Sequence, residues 1–341
     1  MKNKIIIIKC ISNFHLFGAF SYLVSESLLN NGYLFIVIAD FFSESCPYRI
    51  SEEDLSFLRD ENYLFFHDVD FSFSIIKSFQ DLIVISPFEI PYRFIYKMKK
   101  SINMNGITCV CVDEGIGTYQ SRLQWFKDSS ELSNKSVLYF CLRFYLKQIP
   151  LQFFKIGSHI KKIDFYIFRR KGMTNNLIEN KNVVDSYKKF FCFQKNEKFR
   201  IIYGYNNIVF FSDCISEYLI DKTNTNYVYN IIINIIKEKF PKAKLYIKPH
   251  PNELETFNFE STNCEIIKQK ITTEELLNNN EIIHVFSLCS TSLLTASLFF
   301  NISSSSLIDY IPDYLISERK KHIMNTFKSN FSSIPKLSFE V

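Results

Sequence analysis

The sequence predicts an α/β protein built from two Rossmann-like halves facing each other across a cleft. Short apolar runs alternate with helix-length amphipathic segments, the pattern of parallel strands joined by crossover helices. The 341 residues exceed one compact core at roughly 100–200 residues per domain. The periodicity fails between Gly172 and Arg200, where M-T-N-N-L-I-E-N-K-N and Q-K-N-E-K-F-R are polar. The domain boundary is placed there, giving 1–200 and 201–341, with the last helix free to return to the first domain.

The predicted strands are 5–10 (I-I-I-I-K-C), 33–38, 81–86, 107–112 (I-T-C-V-C-V), 207–212, 243–248 and 281–286, each a run of β-branched or aromatic residues. The clearest helices are 18–31, 90–104, 224–239 and 290–299. The third starts from Thr223 or Asn224 as cap and stops before Pro241. The S-S-S-S run at 303–306 is too short for a linker.

Composition sets limits on function. Hydrophobic residues make up 47% and charged residues 22%, with only 8 Gly and 9 Pro, which excludes a disordered or collagen-like chain. The 36 Phe and 19 Tyr fit A/T-rich codon usage and the filling of two cores. A net charge of +5 does not mark a nucleic-acid binder. The nine cysteines include no zinc-type spacing, so they are expected to be reduced core residues of a cytoplasmic protein. The start, M-K-N-K-I-I-I-I-K-C, lacks a small-residue cleavage site and reads as a buried strand rather than a signal peptide. No run of ~18 uncharged apolar residues suggests a membrane span.

Ligands of open parallel sheets sit beyond the carboxyl ends of the strands, which directs attention to three places. Strand 107–112 runs into Asp113 and Glu114, with Gly115 permitting a sharp turn; a partly desolvated carboxylate there suits general-base work, although an acidic pair taken alone more often solvates a loop. Strand 243–248 ends in K-P-H-P, where Pro249 and Pro251 stiffen the backbone of His250, placing an imidazole that can meet a phosphate. Strand 281–286 leads into S-L-C-S-T-S, where Ser290, Thr291 or Ser292 caps a helix whose free N–H groups form an anion site. Together they suit transfer of a group from a nucleotide donor to an acceptor hydroxyl.

These motifs, Asp113-Glu114-Gly115, His250-Pro251 and Ser290-Thr291, resemble in type and order those of bacterial sialyltransferases. In length and in the K-P-H-P and S-T-S-L-L-T-A contexts the chain is most similar to the lipooligosaccharide sialyltransferases of glycosyltransferase family 52. The resemblance implies a GT-B fold and an inverting transfer from CMP-sialic acid, without metal or cofactor, to a hydroxyl of a surface glycan such as a terminal galactose of lipooligosaccharide, O-antigen or capsule. It implies Glu114 as general base, with Asp113 the alternative. His250 would meet the CMP phosphate, Ser290 and Thr291 would bind it, and Glu274 of T-T-E-E-L-L would contact the ribose, with Glu275 the alternative. The chain departs from relatives that carry a Gln-Pro pair after the first strand of the second domain, having Ser212 and Asp213 there, and its opening loop offers His15 as either a substrate contact or a buried structural imidazole.

Between Lys135 and Lys171, nine basic residues face one acid, Asp164, interleaved with Tyr139, Phe140, Phe144, Tyr145, Phe153, Phe154, Phe165, Tyr166 and Phe168. Such a stretch suits peripheral contact with the cytoplasmic face of the inner membrane and a lipid-linked acceptor. A core-facing helix with snorkelling Lys and Arg produces the same pattern. Competing with the sialyltransferase are a GT-B transferase using another CMP-nonulosonic acid or sugar nucleotide, and a catalytically silent glycan- or nucleotide-binding protein.

Overall fold

Each half of the chain carries a six-stranded parallel sheet, and the two sheets share one strand order. The computed structural model describes residues 4–40, 49–76, 81–87, 89–101, 106–119, 123, 126–127, 130, 135–153, 160–170, 177–194, 199–253, 259 and 264–340. One unit takes in Met1–Glu44 and Arg49–Ile167, the other Phe168–Val341. This is the doubly wound, GT-B type of architecture that the sequence predicts.

In the first unit the strands are β1 (Lys4–Cys10), β2 (Tyr33–Ala39), β3 (Asn62–His67), β4 (Asp81–Pro87), β5 (Ile107–Val112) and β6 (Ile160–Phe165), in the order β3-β2-β1-β4-β5-β6. Every neighbouring pair is parallel. Ile5 to Ile8 are wholly buried, because helices cover both faces of such a sheet. Helix α1 (Asn13–Ser25) lies against β1, β4 and β5, while α2 (Tyr92–Ser101) packs Phe94, Ile95 and Met98 on Ile5, Ile7, Ile36, Ile38, Leu82 and Val84. Helix α3 (Val137–Phe153) precedes the edge strand β6. The expected helix 18–31 is corrected to Asn13–Ser25: Ser12 caps its start, accepting from the His15 N–H, and left-handed Ser27 (φ 51°) and Asn30 (φ 57°) follow its end.

The second unit opens with an antiparallel ribbon of β7 (Phe168–Arg170) and β8 (Leu177–Glu179), then α4 (Lys181–Phe193). Its main elements follow as β9 (Asn207–Phe211), α5 (Ile215–Tyr218), α6 (Thr225–Lys239), β10 (Lys244–Lys248), β11 (Glu265–Ile266), α7 (Thr273–Asn279), β12 (Ile282–Ser287), α8 (Thr291–Leu298), β13 (Ser303–Ser306), α9 (Glu318–Phe331) and β14 (Leu337–Ser338). The sheet order β11-β10-β9-β12-β13-β14 repeats that of the first unit, again all parallel. In both sheets the order reverses beside the first strand, between β1 and β4 and between β9 and β12.

The unit boundary lies before Phe168, earlier than the expected 200. The reason is α4, whose Val183, Val184, Tyr187, Phe190 and Phe191 are buried. Tyr187 stacks on Phe299 at 4.6 Å, and Phe191 meets both Phe299 and Phe300. The last helix, α9, also stays with this unit, its Phe331 ring 5.3 Å from Phe168. The S-S-S-S run is strand β13, buried from Ser304 to Ser306. Its hydroxyls are satisfied internally: Ser304 donates to Leu293 O, Ser305 meets His284 Nε2 at 2.9 Å, and Ser306 donates to Leu288 O. Small side chains let α8 lie close over the strand.

Replacing Tyr187 with Ala removes a fully buried ring from the α4–α8 contact and is expected to cost about 3–5 kcal/mol in urea unfolding of the full chain. A loss below about 1 kcal/mol would show that α4 is not a cohesive part of the second unit.

Candidate active site

The carboxyl end of β5 separates the two acids by burial. Asp113 is fully buried; its carboxylate accepts from the Gly115 N–H at 3.0 Å, the Ile167 N–H at 3.1 Å and the Tyr119 hydroxyl. Burial pushes its pKa up to about 6 against the opposing pull of these donors. Gly115 makes the turn possible at φ 98°, where a side chain would be strained. Glu114 is exposed, its N–H bonded to Thr118 Oγ1 at 2.7 Å, and its carboxylate has no hydrogen-bond partner among the described residues. Loss of water raises its pKa first, then the neighbouring charges of Asp113 and Glu89. Gly117 is backbone of the following turn, and Gln120 lies outside the described residues.

In the second unit the ends of β9, β10 and β12 emerge at one edge of the sheet. His250 follows β10, and the turn Pro251–Glu253 begins behind it. Its backbone N–H donates to Ser212 Oγ at 2.8 Å. Burial lowers the imidazole pKa; Glu217 opposes this, while Lys248 and Lys320 add to it, so the ring is neutral near pH 7. Ser290 is the N-cap of α8, accepting from the Ser292 N–H at 3.2 Å, and Thr291 is the first helical residue. The Ser292 hydroxyl is buried with no hydrogen-bond partner among the described residues. Thr295, one turn on, stands beside the Glu274 carboxyl, where its hydroxyl opposes the rise in that group's pKa. A buried, unengaged hydroxyl near a helix start is a fitting lining for an anionic or polyhydroxyl ligand.

Glu274 lies in the first turn of α7 and is buried, with its pKa raised to about 7 chiefly by burial. Glu275 is occupied elsewhere: it closes a capping box with Thr272, its carboxylate accepting the Thr272 N–H at 2.9 Å. The structure therefore separates these two acids as well. His15 resolves as a structural imidazole, buried, its Nδ1 accepting from the Ile11 N–H at 3.3 Å and its pKa pushed down to about 4.

Sequence reasoning passed over three polar residues here. Lys248 is buried at the end of β10, and loss of water pulls its pKa down to about 8. Glu253 accepts from Ser212 at 2.9 Å and from Ser216 at 3.4 Å. Asp213 is half-buried, and its carboxylate accepts the Leu288 N–H of the loop that follows β12. Lys248 was legible, since strand alternation turns it to the same face as Tyr246. Among the described residues no three His, Cys, Asp or Glu side chains gather as a metal site would require. Eight cysteines are free, and Cys46 lies outside the described residues.

Two parallel Rossmann-like units with acid, imidazole and hydroxyl groups at their strand ends define a glycosyltransferase of the GT-B class. Residues 74–308 match the model of the alpha-2,8-polysialyltransferase family, and the chain belongs to that family. It is a sialyltransferase. A sialyltransferase from Photobacterium damsela is similar in fold, with a TM-score of 0.51 at 11% identity over 98% of this chain and 81% of that one. A 2,6-sialyltransferase from Vibrionaceae Photobacterium sp. JT-ISH-224, solved in a ternary complex with CMP and lactose, aligns over 98% of this chain and 78% of its own at 12% identity, with a TM-score of 0.45. No curated protein matches the chain.

A buried acid with a raised pKa makes the fold less stable as it ionises. For Glu274 this stability is full below about pH 4.5 and is lost as pH rises through about 7. Glu274→Gln is therefore expected to raise the melting temperature at pH 8 and to change it far less at pH 5. Equal effects at both pH values would show that the carboxyl is not held in a desolvated site.

Proposed function

We propose that the protein transfers sialic acid from CMP-sialic acid to a hydroxyl of a bacterial surface glycan, with inversion and without a metal. The reading is supported by the geometry of each unit: in the first, a Glu114 carboxylate with no hydrogen-bond partner among the described residues at the end of β5, and in the second, an imidazole and a hydroxyl-rich helix start at the ends of β10 and β12. Glu114 acts as base: it takes the proton of the acceptor hydroxyl as that oxygen bonds the anomeric carbon. Asp113, whose carboxylate is engaged by three donors, shapes the loop. His250 meets the phosphate as its bond to the sugar breaks, donating a hydrogen bond or proton to the departing CMP. Lys248, Ser290, Thr291 and Ser292 supply further positive charge and donors, so the chain's own residues neutralise the phosphate. Glu274 receives the ribose hydroxyls, and Gly115 and Pro251 fix the backbone of the two loops.

The family's description favours a sialic-acid-terminated acceptor and an α2,8 linkage over the terminal galactose that the sequence motifs suggest. Mass spectrometry of both acceptors with CMP-sialic acid decides between them. No transfer to either, with saturable CMP binding, would favour a silent binding protein; transfer from a different donor would favour another sugar nucleotide. Glu114→Gln and His250→Ala are each expected to lower kcat by about two orders of magnitude or more with the fold intact. Near-normal turnover in Glu114→Gln, with loss in Asp113→Asn, would move the base to Asp113. Activity abolished by EDTA and restored by Mg²⁺ would overturn the metal-free reading.

The acceptor is proposed to be lipid-linked and the enzyme to rest peripherally on an anionic cytoplasmic leaflet. The basic stretch divides between the units, with Lys161 and Lys162 on edge strand β6, where lysines also guard against edge pairing, and Arg169 on β7. Lys155, Lys171 and Phe154 lie outside the described residues. Support for membrane contact comes from α3, which exposes Leu138, Tyr139, Leu142, Tyr145 and Leu146 on one face with Lys135 and Arg143 beside it. No described helix is long and apolar enough to cross a membrane. Leu138, Leu142 and Leu146→Ser together are expected to abolish co-sedimentation with anionic phospholipid vesicles while transfer to a soluble acceptor continues. Unchanged co-sedimentation would remove α3 from the membrane contact.

A further inference from the structure

The dipeptide Ser212-Asp213 leaves β9 at the point where the strand order of the second sheet reverses. Its two side chains serve two different loops. Ser212 is buried; its N–H donates to Lys248 O at 3.1 Å, its Oγ accepts the His250 N–H at 2.8 Å and donates to Glu253 Oε2 at 2.9 Å. Asp213 turns toward β12, and its Oδ2 accepts the N–H groups of Leu288 and Cys289, both at 3.0 Å. The Ser287 hydroxyl in turn donates to Phe211 O at 2.8 Å. Asp213 and Cys214 both take left-handed backbone, φ 52° and 51°, a conformation that non-glycine residues keep only where surrounding bonds enforce it.

We propose that Ser212 and Asp213 are positioning residues that clamp the His250-Pro251 loop and the Ser290-Thr291-Ser292 loop to one backbone, and so fix the site that receives the donor phosphate. Asp213 is not itself a ligand, because a carboxylate presented to a phosphate would repel it and this one is engaged by backbone N–H groups. Adjacent residues cannot move independently, so the imidazole and the helix start are held at one spacing before the nucleotide arrives, which is what preorganised charge stabilisation requires. The inference rests on the phosphate site proposed above and identifies what builds it.

Hydrogen exchange and CMP titration on the full chain test it separately. Asp213→Ala is expected to lose amide protection at 287–292, and Ser212→Ala at 249–253, with strands β9, β10 and β12 still protected. Asp213→Ala should weaken CMP binding and raise the KM for CMP-sialic acid at least tenfold while the acceptor KM is unchanged. Asp213→Asn, which keeps an acceptor oxygen in the same shape, should recover part of this loss, and it carries the test if the alanine variant does not fold. Unchanged protection in both loops overturns the clamp. Lost protection with unchanged CMP affinity overturns its role in the donor site. If the unaltered protein fails to bind CMP, the phosphate reading falls and the positioning role with it, while exchange still decides whether the clamp exists.

Discussion

The loops of the candidate site are held by polar side chains placed just beyond parallel strands. The carboxyl edge of such a sheet ends in loops whose backbone groups lack ladder partners and must be satisfied locally. Asp113 does this beyond β5, bonding Gly115 and Ile167 N–H groups, and Asp213 does it beyond β9, bonding those of Leu288 and Cys289. Asp113 is fully buried and Asp213 partly so; both have raised pKa values, and both depend on a nearby left-handed residue to bring the chain round. A carboxylate whose oxygens are taken up by backbone donors makes a loop rigid but is a poor base. Beside Asp113, the carboxylate of Glu114 has no hydrogen-bond partner among the described residues, in a position that the structural acid defines.

The electrostatics of the two units are opposed. Around Glu114 the neighbouring charges are Asp113 and Glu89, which hold its proton more tightly than water would. Around His250 burial does most to lower the imidazole pKa, Lys248 and Lys320 add to it, and Glu217 opposes them. An arriving phosphate would offset those cations and favour the protonated ring, so donor binding itself would prepare the acid that the departing CMP needs. Glu274 shows the cost of such preparation, since a carboxyl held near a pKa of about 7 lowers the stability of the fold at the pH where it would accept ribose hydroxyls.

The strands were legible because burial on both faces forces continuous apolar runs, as in Ile5 to Ile8. Strand β13 was not, since four serines carry no hydrophobic signal, and the three that are buried, Ser304 to Ser306, have their hydroxyls satisfied by Leu293, His284 and Leu288. Helix α4 was hidden by its flanks, although Val183, Val184, Tyr187, Phe190 and Phe191 follow helical spacing once the polar ends are set aside. Among the site residues, Thr272-x-x-Glu275 already marks a capping box and so frees Glu274 for another role. The division of labour between Asp113 and Glu114 was not legible, because it depends on the Ile167 N–H, far away in sequence.

The residue type at 213 has a steric explanation. Proline fixes φ near −65° and cannot take the left-handed backbone found at Asp213, φ 52°. The loop after β9 therefore follows a route closed to proline, and it needs a side chain that can reach back to the loop after β12. Aspartate meets both demands, because it tolerates left-handed backbone better than most residues and its short carboxylate accepts two adjacent N–H groups. A proline at this position would lose that bond pair. Ser212 and Asp213 thus spend their polar groups on the protein's own loops, the one on the loop after β10 and the other on the loop after β12.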